Sequence, residues 1–310
     1  MVSVTQPVRL QENTSTSDLI AAQFAKTRFR RKLVDLVAVY ALFSCAIIIL
    51  VPLFSILFEL LRQGVTALNW DFFTKLPKPV GENGGGMANA IVGSLVLLGI
   101  ALMVGLPIGV GTGIYLSEYA GTRYAFTIRF IVDVMNGIPS IVYGIFAYAL
   151  FVLPMKSFSV LAGGASLGIM MIPIITRTTE QFLRMVPASL REAGLALGAP
   201  KWRVIVDIVL STAKGGIITG VMVALARVAG ETAPLLFTAF GNRFWTHSLM
   251  EPIAALPLQI FAYAISPFDD WHRQAWAGAL VLIAIIFVIN IFANYFVSRQ
   301  AKILSPKNKA

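Results

Sequence analysis

An all-α integral membrane protein with six transmembrane helices is the fold class that this sequence predicts, on three observations. Of its 310 residues, 57% are hydrophobic and only 13% are charged, and the mean hydropathy is +0.78. No water-soluble domain needs that much apolar surface. Uncharged runs long enough to cross a bilayer recur along the chain, since about 20 helical residues span the hydrocarbon. Lys and Arg are also spread unevenly over the segments that join those runs. The net charge of +10 therefore reflects basic loops beside a membrane and no nucleic-acid partner, because the basic residues are scattered between apolar runs.

Residues 1–32 form a polar N-terminal tail, either mobile or an interfacial amphipathic helix, with no early apolar core of the kind a cleavable signal peptide carries. Residues 33–300 form the transmembrane domain, and 301–310 a polar C-terminal tail. The first span is the unbroken run Leu36–Phe58. The second, Met87–Ser117, is long and glycine-rich. Its Gly105, Gly109 and Gly113 stand four apart, a small-residue face suited to close helix packing, and Pro107 among them is expected to kink the helix. Val134–Met155 is the third span and Ser157–Thr176 the fourth. Gly215–Asn242, the fifth, is interrupted by Arg227 and Glu231, and Gln274–Ser298 is the sixth. The apolar stretch Pro252–Phe268 is short and contains Pro257, so it reads as an interfacial or re-entrant piece. A seventh span there would put the termini on opposite sides.

Orientation follows from the basic residues. Seventeen of the 25 Lys and Arg fall before the first span, after the sixth, and in the 118–130 and 184–214 loops. Six fall on the opposite side, and Arg177 and Arg227 lie within spans. Both termini and the loop around residue 192 are therefore expected in the cytoplasm. Other classes find little support. The single cysteine, Cys45, forms no intramolecular disulfide. His247 and His272 lie on polar segments with no ligand cluster, so no metal is expected. No cofactor motif is present. No G-x-x-x-x-G-K-[ST] loop exists in the chain, so it does not hydrolyse ATP alone, and no nucleophile–base set inside the spans suggests an intramembrane enzyme.

Two stretches carry chemistry. In the first, residues 187–211, Pro187 suits the start of a helix. Leu190, Ala193 and Leu197 recur at helical spacing, Gly198 supplies a left-handed stop, and Pro200 blocks continuation. A second short helix starting at Pro200 would show an apolar face of Trp202, Ile205, Val206 and Val209. A basic connector lying on anionic lipid is the plainer alternative. In the second stretch, Arg227 and Glu231 stand at i, i+4 on one helix face. Arg227 lies about 18 Å into a span that starts at Gly215, where a charge costs about 2.5–3.5 kcal/mol. Either they neutralise one another, or Arg227 lines an anion path, its planar fork matching phosphate oxygens.

Smaller constellations surround these. Pro139 removes one N–H and frees the carbonyl four residues earlier. With Gly137 and Ser140 beside it, this either lines a route or bends a helix. Glu118 is expected as a solvated interfacial charge or a partner for Arg123. Arg177 with Glu180, and Arg129 with Asp133, are expected as pairs along their own helices, Arg177 being the better candidate to face the path.

Glu192-Ala193-Gly194, then Gly198, Ile208 and Leu210 at fixed spacing, resemble the EAA loop of importers driven by ATP-binding cassettes. Gly194 replaces an Ala of that pattern and Ser211 a Pro. The resemblance implies the type I importer permease fold, with a coupling helix that docks in a groove of a cytoplasmic ATPase. Leu190, Ala193 and Leu197 would bury there, with Glu192 at the rim and Gly194 and Gly198 shaping the loop. Residues 226–237, ARVAGETAPLLF, together with Ile114–Ala120 and Asn136–Phe146, resemble the phosphate-specific permeases, and Ala-Pro-Leu-Leu-Phe-Thr-Ala at 233–239 is similar to their PstA type. The resemblance covers about residues 87–300. It implies a phosphate importer with a PstC-like second permease subunit, two PstB-like ATP-binding subunits and a PstS-like phosphate-binding protein. It implies a substrate pathway at Arg227, Glu231, Thr232 and Arg177. Another oxyanion importer, or an ion-gradient-driven anion transporter, is the alternative reading.

Overall fold

The computed structural model describes the backbone of residues 14–79, 82 and 84–304, and the side chains of residues 31–79, 82, 84–293 and 295. The outermost residues of both expected tails, 1–13 and 305–310, lie outside the described residues. Every regular element among them is helical. The chain divides into two units, one ending at Glu59 and one beginning at Leu60.

The first unit is most of α1, Thr14–Ala67. The helix begins inside the segment expected as a tail and continues through the first expected span. The portion from Arg31 on is long and apolar enough to cross a membrane. Over residues 31–58 its apolar side chains point outward all round, with Ile48 68% exposed and Leu42 71%. Such a surface suits lipid or another subunit, not water.

The second unit takes up the end of α1 and continues with α2, Trp70–Thr74, capped by the Asn69 side chain, which accepts from the Phe72 N–H at 2.8 Å. Next come α3, Ala88–Glu118, and α4, Arg123–Gly137, capped by Thr122. The next helix, α5, runs Ser140–Met155 with a widened turn at Tyr148–Val152. It is followed by α6, Val160–Arg184, capped by Ser159, and α7, Ala188–Ala196. Then α8 runs Lys201–Ala229, followed by α9, Ala233–Thr238, α10, Leu256–Ala264, and α11, Asp269–Leu304. Among the described residues five helices are long and apolar enough to span, and there are six if the bent α4–α5 pair is counted as one span. That is the helix number the apolar runs predict.

The core is centred on α3 against α6. A Cβ on Gly109 would stand 2.7 Å from the Ile175 Cβ, and one on Gly113 would stand 2.6 Å from the Thr179 Cβ and 2.9 Å from the Thr176 carbonyl. The glycine face is therefore a packing seam on which two backbones approach closely. Leu97, Ala101, Met171 and Ile175 are buried beside it. Pro107 leaves α3 unbroken.

Three expected spans are corrected. The third does not cross as one straight helix: α4 and α5 meet at a bend of 107°. The cause is Pro139, whose ring excludes the helical conformation from the preceding residue, and Ile138 is extended at φ −73, ψ 131. The fourth begins after the Ser159 cap and extends to Arg184. The fifth, expected from Gly215 to Asn242, is instead α8, which starts at Lys201 and ends at Ala229. The helix expected to start at Pro200 is thus the base of a span, not a short connector. The stretch expected as interfacial or re-entrant holds only the nine residues of α10, about 14 Å of helix against about 30 Å of hydrocarbon. It is tucked under α3, where the Leu256 N–H donates to the Ser94 hydroxyl at 2.7 Å.

Candidate coupling surface and anion pathway

The loop between α6 and α8 folds as its sequence dictates. Pro187 stands just ahead of α7, and Gly198 ends the helix at φ +79. Two reversed backbone bonds close it: Gly198 N–H to the Leu195 carbonyl at 2.9 Å, and Ala199 N–H to the Gly194 carbonyl at 3.3 Å. That is the Schellman stop, which needs a residue at ease in the left-handed region. Pro200 then caps α8. The chain doubles back so that Gly194 is buried under the first turns of α8, where a Cβ would stand 2.7 Å from the Ile208 Cδ1. The spacing between Gly194, Gly198 and Ile208 is thus a packing relation: the hairpin places one motif residue on another.

The opposite side of α7 is open. Leu190 is 40% exposed and Leu197 89%, and Glu192 and Ala193 are exposed as well. These are the residues expected to meet an ATPase. Apolar side chains held outward on a polar loop form the anchor pattern of a helix that docks in a groove.

The charged groups pair differently from expectation. Arg129 does not pair with Asp133 along α4. It reaches across to α6, donating to Glu180 Oε1 through Nη2 at 2.8 Å and Nε at 3.0 Å. Arg177 joins Glu180 Oε2 at 2.9 Å, as expected, and also pairs with Asp133. Arg184 adds a third guanidinium to Glu180 at 2.8 Å. Glu180 is nearly sealed, its side chain 3% exposed. A carboxylate so placed must be paired and hydrogen-bonded on both oxygens, and a single partner one turn away does not supply that. Glu118 likewise pairs with Arg191 of α7, not with Arg123.

Arg227 and Glu231 do not share a helix face. The helix α8 ends at Ala229 with Gly230 as its cap, and Glu231 and Thr232 lie in the turn before α9. No ion pair or hydrogen bond joins Arg227 to Glu231 among the described residues. Arg227 is exposed, while Glu231 and Thr232 are half-buried. The Gly230 that ends the helix was the signal that the i, i+4 reading overlooked.

Just after this turn, α9 packs on α5 one turn beyond the bend at Pro139. A Cβ on Gly144 of α5 would stand 2.8 Å from the Pro234 Cα and 3.2 Å from the Ala233 carbonyl. The carbonyl that Pro139 frees, that of Met135, accepts the Tyr143 hydroxyl at 2.6 Å. Tyr143 is the residue that sequence reasoning missed. Gly137 and Pro139 are exposed at the bend, and Ser140 is half-exposed. Two interrupted helices thus meet, with Arg227 at the junction and Arg177 in the separate network on α6.

A profile of the binding-protein-dependent transport system inner membrane component family matches residues 105–302. The phosphate transport system permease protein PstA of Yersinia pestis is 45% identical over 246 residues, covering 79% of this chain and 83% of that protein. The chain belongs to the PstA permease family. The PstA of Haemophilus influenzae is 46% identical over 78% of this permease and 86% of its own length. A probable PstA of Methanocaldococcus jannaschii is 32% identical over 88% and 97%. Among solved structures, a bacterial alginate ABC transporter bound to a periplasmic protein superposes with a TM-score of 0.60 at 15% identity, over 94% of this permease and 98% of that chain. The inward-facing MetNI methionine ABC transporter gives 0.56 at 19% identity, over 69% and 97%. Those two likenesses show the fold, that of an ABC importer permease. The permease is a multi-pass inner-membrane subunit without an ATPase site of its own, and ATP hydrolysis belongs to a separate subunit.

Proposed function

We propose that this permease moves inorganic phosphate inward across the bacterial inner membrane by alternating access, driven by partner ATPases. Arg227 carries the proposal. It stands exposed at the junction of two interrupted helices, with no carboxylate paired to it among the described residues. A permanent cation inside a bilayer must face a water-filled path or a protein partner. Its guanidinium offers a fork of donors to a tetrahedral oxyanion. Family membership favours phosphate over another oxyanion.

In this reading both termini and α7 face the cytoplasm, as the distribution of Lys and Arg directs. A PstC-like subunit forms the other half of the path, two PstB-like subunits bind ATP, and a PstS-like protein delivers phosphate from outside. Residues 33–300 act as the transmembrane domain and the 187–211 loop as its coupling element. When the ATPases close on ATP, the groove holding Leu190, Ala193 and Leu197 moves, and α7 moves with it. Arg227 holds the phosphate charge in transit. Glu231 and Thr232 in the adjoining turn, and Arg177 in the α6 network, set how loosely it is held, since a path must release what it binds. Gly137, Pro139 and Ser140 form the bend that opens or closes the route.

The test is phosphate uptake in cells lacking this chain, with Glu192→Lys and Arg227→Gln reintroduced separately. Glu192→Lys is expected to lose the ATPase subunits. Arg227→Gln is expected to retain them, together with basal ATP hydrolysis, and to move no phosphate. Normal uptake by Arg227→Gln would remove Arg227 from the path, and an unchanged phosphate uptake with loss of another anion's uptake would replace the cargo.

A further inference from the structure

The helix α7 has two faces. Leu190, Glu192, Ala193 and Leu197 look outward. Arg191 and Gly194, three residues apart and so on one side of the helix, look into the permease. Gly194 packs on α8. Arg191 does more: its guanidinium pairs with Glu118, the last residue of α3, and donates to the Leu183 carbonyl of α6 at 2.7 Å. Both partners are largely enclosed, with Glu118 8% and Arg191 22% exposed. Nothing in α3 itself calls for an acid there, because the C-terminal end of a helix disfavours a carboxylate. Beside this pair, the Lys201 ammonium lies 4.3 Å from the centroid of the Tyr119 ring, and Tyr119 stacks on Tyr115 at 5.3 Å. Successive residues at the end of α3 thus grip α7 through Glu118 and the base of α8 through Tyr119, with Gly198 between the two points of attachment.

We propose that the Glu118–Arg191 ion pair, braced by Lys201 on Tyr119, is the strut that carries displacement of α7 into α3; this rests on the ATPase-docking role of α7 given above. The planar fork of Arg191 serves acceptors on two helices at once, which a lysine ammonium does not do in one fixed geometry. The glycine seam makes α3 and α6 a single packed block. Force arriving at Arg191 therefore enters the centre of the bundle directly, not only through the Gly198 turn. Glu118 and Arg191 are positioning residues: they touch neither the ATPase face of α7 nor the junction at Arg227.

The experiment uses the whole importer, reconstituted in vesicles, with three readouts: ATPase subunits retained, phosphate moved per ATP, and an ATP-driven distance change. The last is measured between spin labels at Met103→Cys on α3 and Phe287→Cys on α11, in a Cys45→Ser background. Glu118→Gln is expected to keep the ATPase subunits and ATP hydrolysis while phosphate per ATP falls about tenfold, within the usual range of coupling energies, and the label shift is lost. Arg191→Lys should fall between it and the wild type. Exchange of the charges, Glu118→Arg with Arg191→Glu, should recover part of both losses, because it restores the ion pair but not the donor to the Leu183 carbonyl, a rescue that damage to packing would not give. Wild-type coupling and shift in Glu118→Gln would overturn the strut. So would loss of the ATPase subunits in that variant, an exchange no better than the single changes, or a wild-type complex without a label shift. A wild-type complex that shows the shift but moves no phosphate would leave the strut standing and sink the cargo assignment.

Discussion

The helical path of this permease is interrupted at Gly198 and at Pro139, and the two breaks are built on opposite principles. At Gly198 the freed carbonyls are taken up by backbone N–H groups within the same six residues, so the break is complete in itself. At Pro139 the Met135 carbonyl keeps one local backbone donor, the Ile138 N–H at 3.2 Å, and in place of the missing proline N–H it takes a side chain, the hydroxyl of Tyr143, from the helix on the far side of the bend. The first break needs only a residue that accepts positive φ. The second holds only while α4, α5 and α9 stay packed, which makes its geometry answerable to the rest of the bundle. A break that closes locally suits a docking element that must keep its shape whatever the bundle does. A break that depends on its neighbours suits a place where the bundle's state is meant to be felt.

That contrast can be tested, and the largest effect is expected where α4, the arm leading into the proline break, is held. Arg129 and Asp133 of α4 are tied to α6 through Glu180 and Arg177. Glu180→Gln leaves three guanidiniums around a neutral amide, a change expected to cost about 3–5 kcal/mol, as for other buried pairs cut on one side. Thermal unfolding of the purified complex should show it, together with early proteolysis in α4. A variant as stable as the wild type would mean that the bend needs no such anchor. Next in size is Gly198→Ala, expected to cost roughly 1–2 kcal/mol for forcing a Cβ into the left-handed region. Its signature is loss of co-purifying ATPase subunits, while Gly198→Asn retains more of them. If the alanine variant holds its ATPases fully, the stop is not what shapes the docking face. Smallest is Tyr143→Phe. The Met135 carbonyl keeps a second donor, the Ile138 N–H at 3.2 Å, so the loss should be about 0.5–1.5 kcal/mol of stability. Uptake should suffer more than the melting midpoint; equal, slight effects on both would reduce the proline break to a passive bend.

The same contrast explains what the sequence discloses. The 187–211 loop is legible because its determinants are local: Pro187, Gly198 and Pro200 punctuate one short stretch. The spans are legible in number, since apolar length sets them, but not in their ends. The start of α8 is hidden because Lys201, Arg203, Asp207 and Lys214 make its first turns read as a loop. The ionic partners are the least legible. Spacing offers Arg129 an Asp one turn away, yet such exposed pairs contribute only about 0.2–0.5 kcal/mol, whereas sealing Glu180 demands several donors at once. The chosen partners lie 51, 44 and 73 residues away for Arg129–Glu180, Arg177–Asp133 and Arg191–Glu118. No periodicity within one helix encodes them. Glu231 shows the reverse: the i, i+4 rule joins it to Arg227 only along a continuous helix, and Gly230 ends that helix between them.

The continuity of α8 has one more consequence. Its base is widened over Val204–Leu210, and above that the regular helix Ser211–Ala229 sets Arg227 about 24 Å along the axis from Ser211 at 1.5 Å per residue. A rod of that length works as a lever. Tilting it by about 7° at the Ser211 end swings the Arg227 end through roughly 3 Å, the whole length of a hydrogen bond. In the proposed pathway such a swing carries the guanidinium from contact with an oxyanion to out of reach without any change of its own charge.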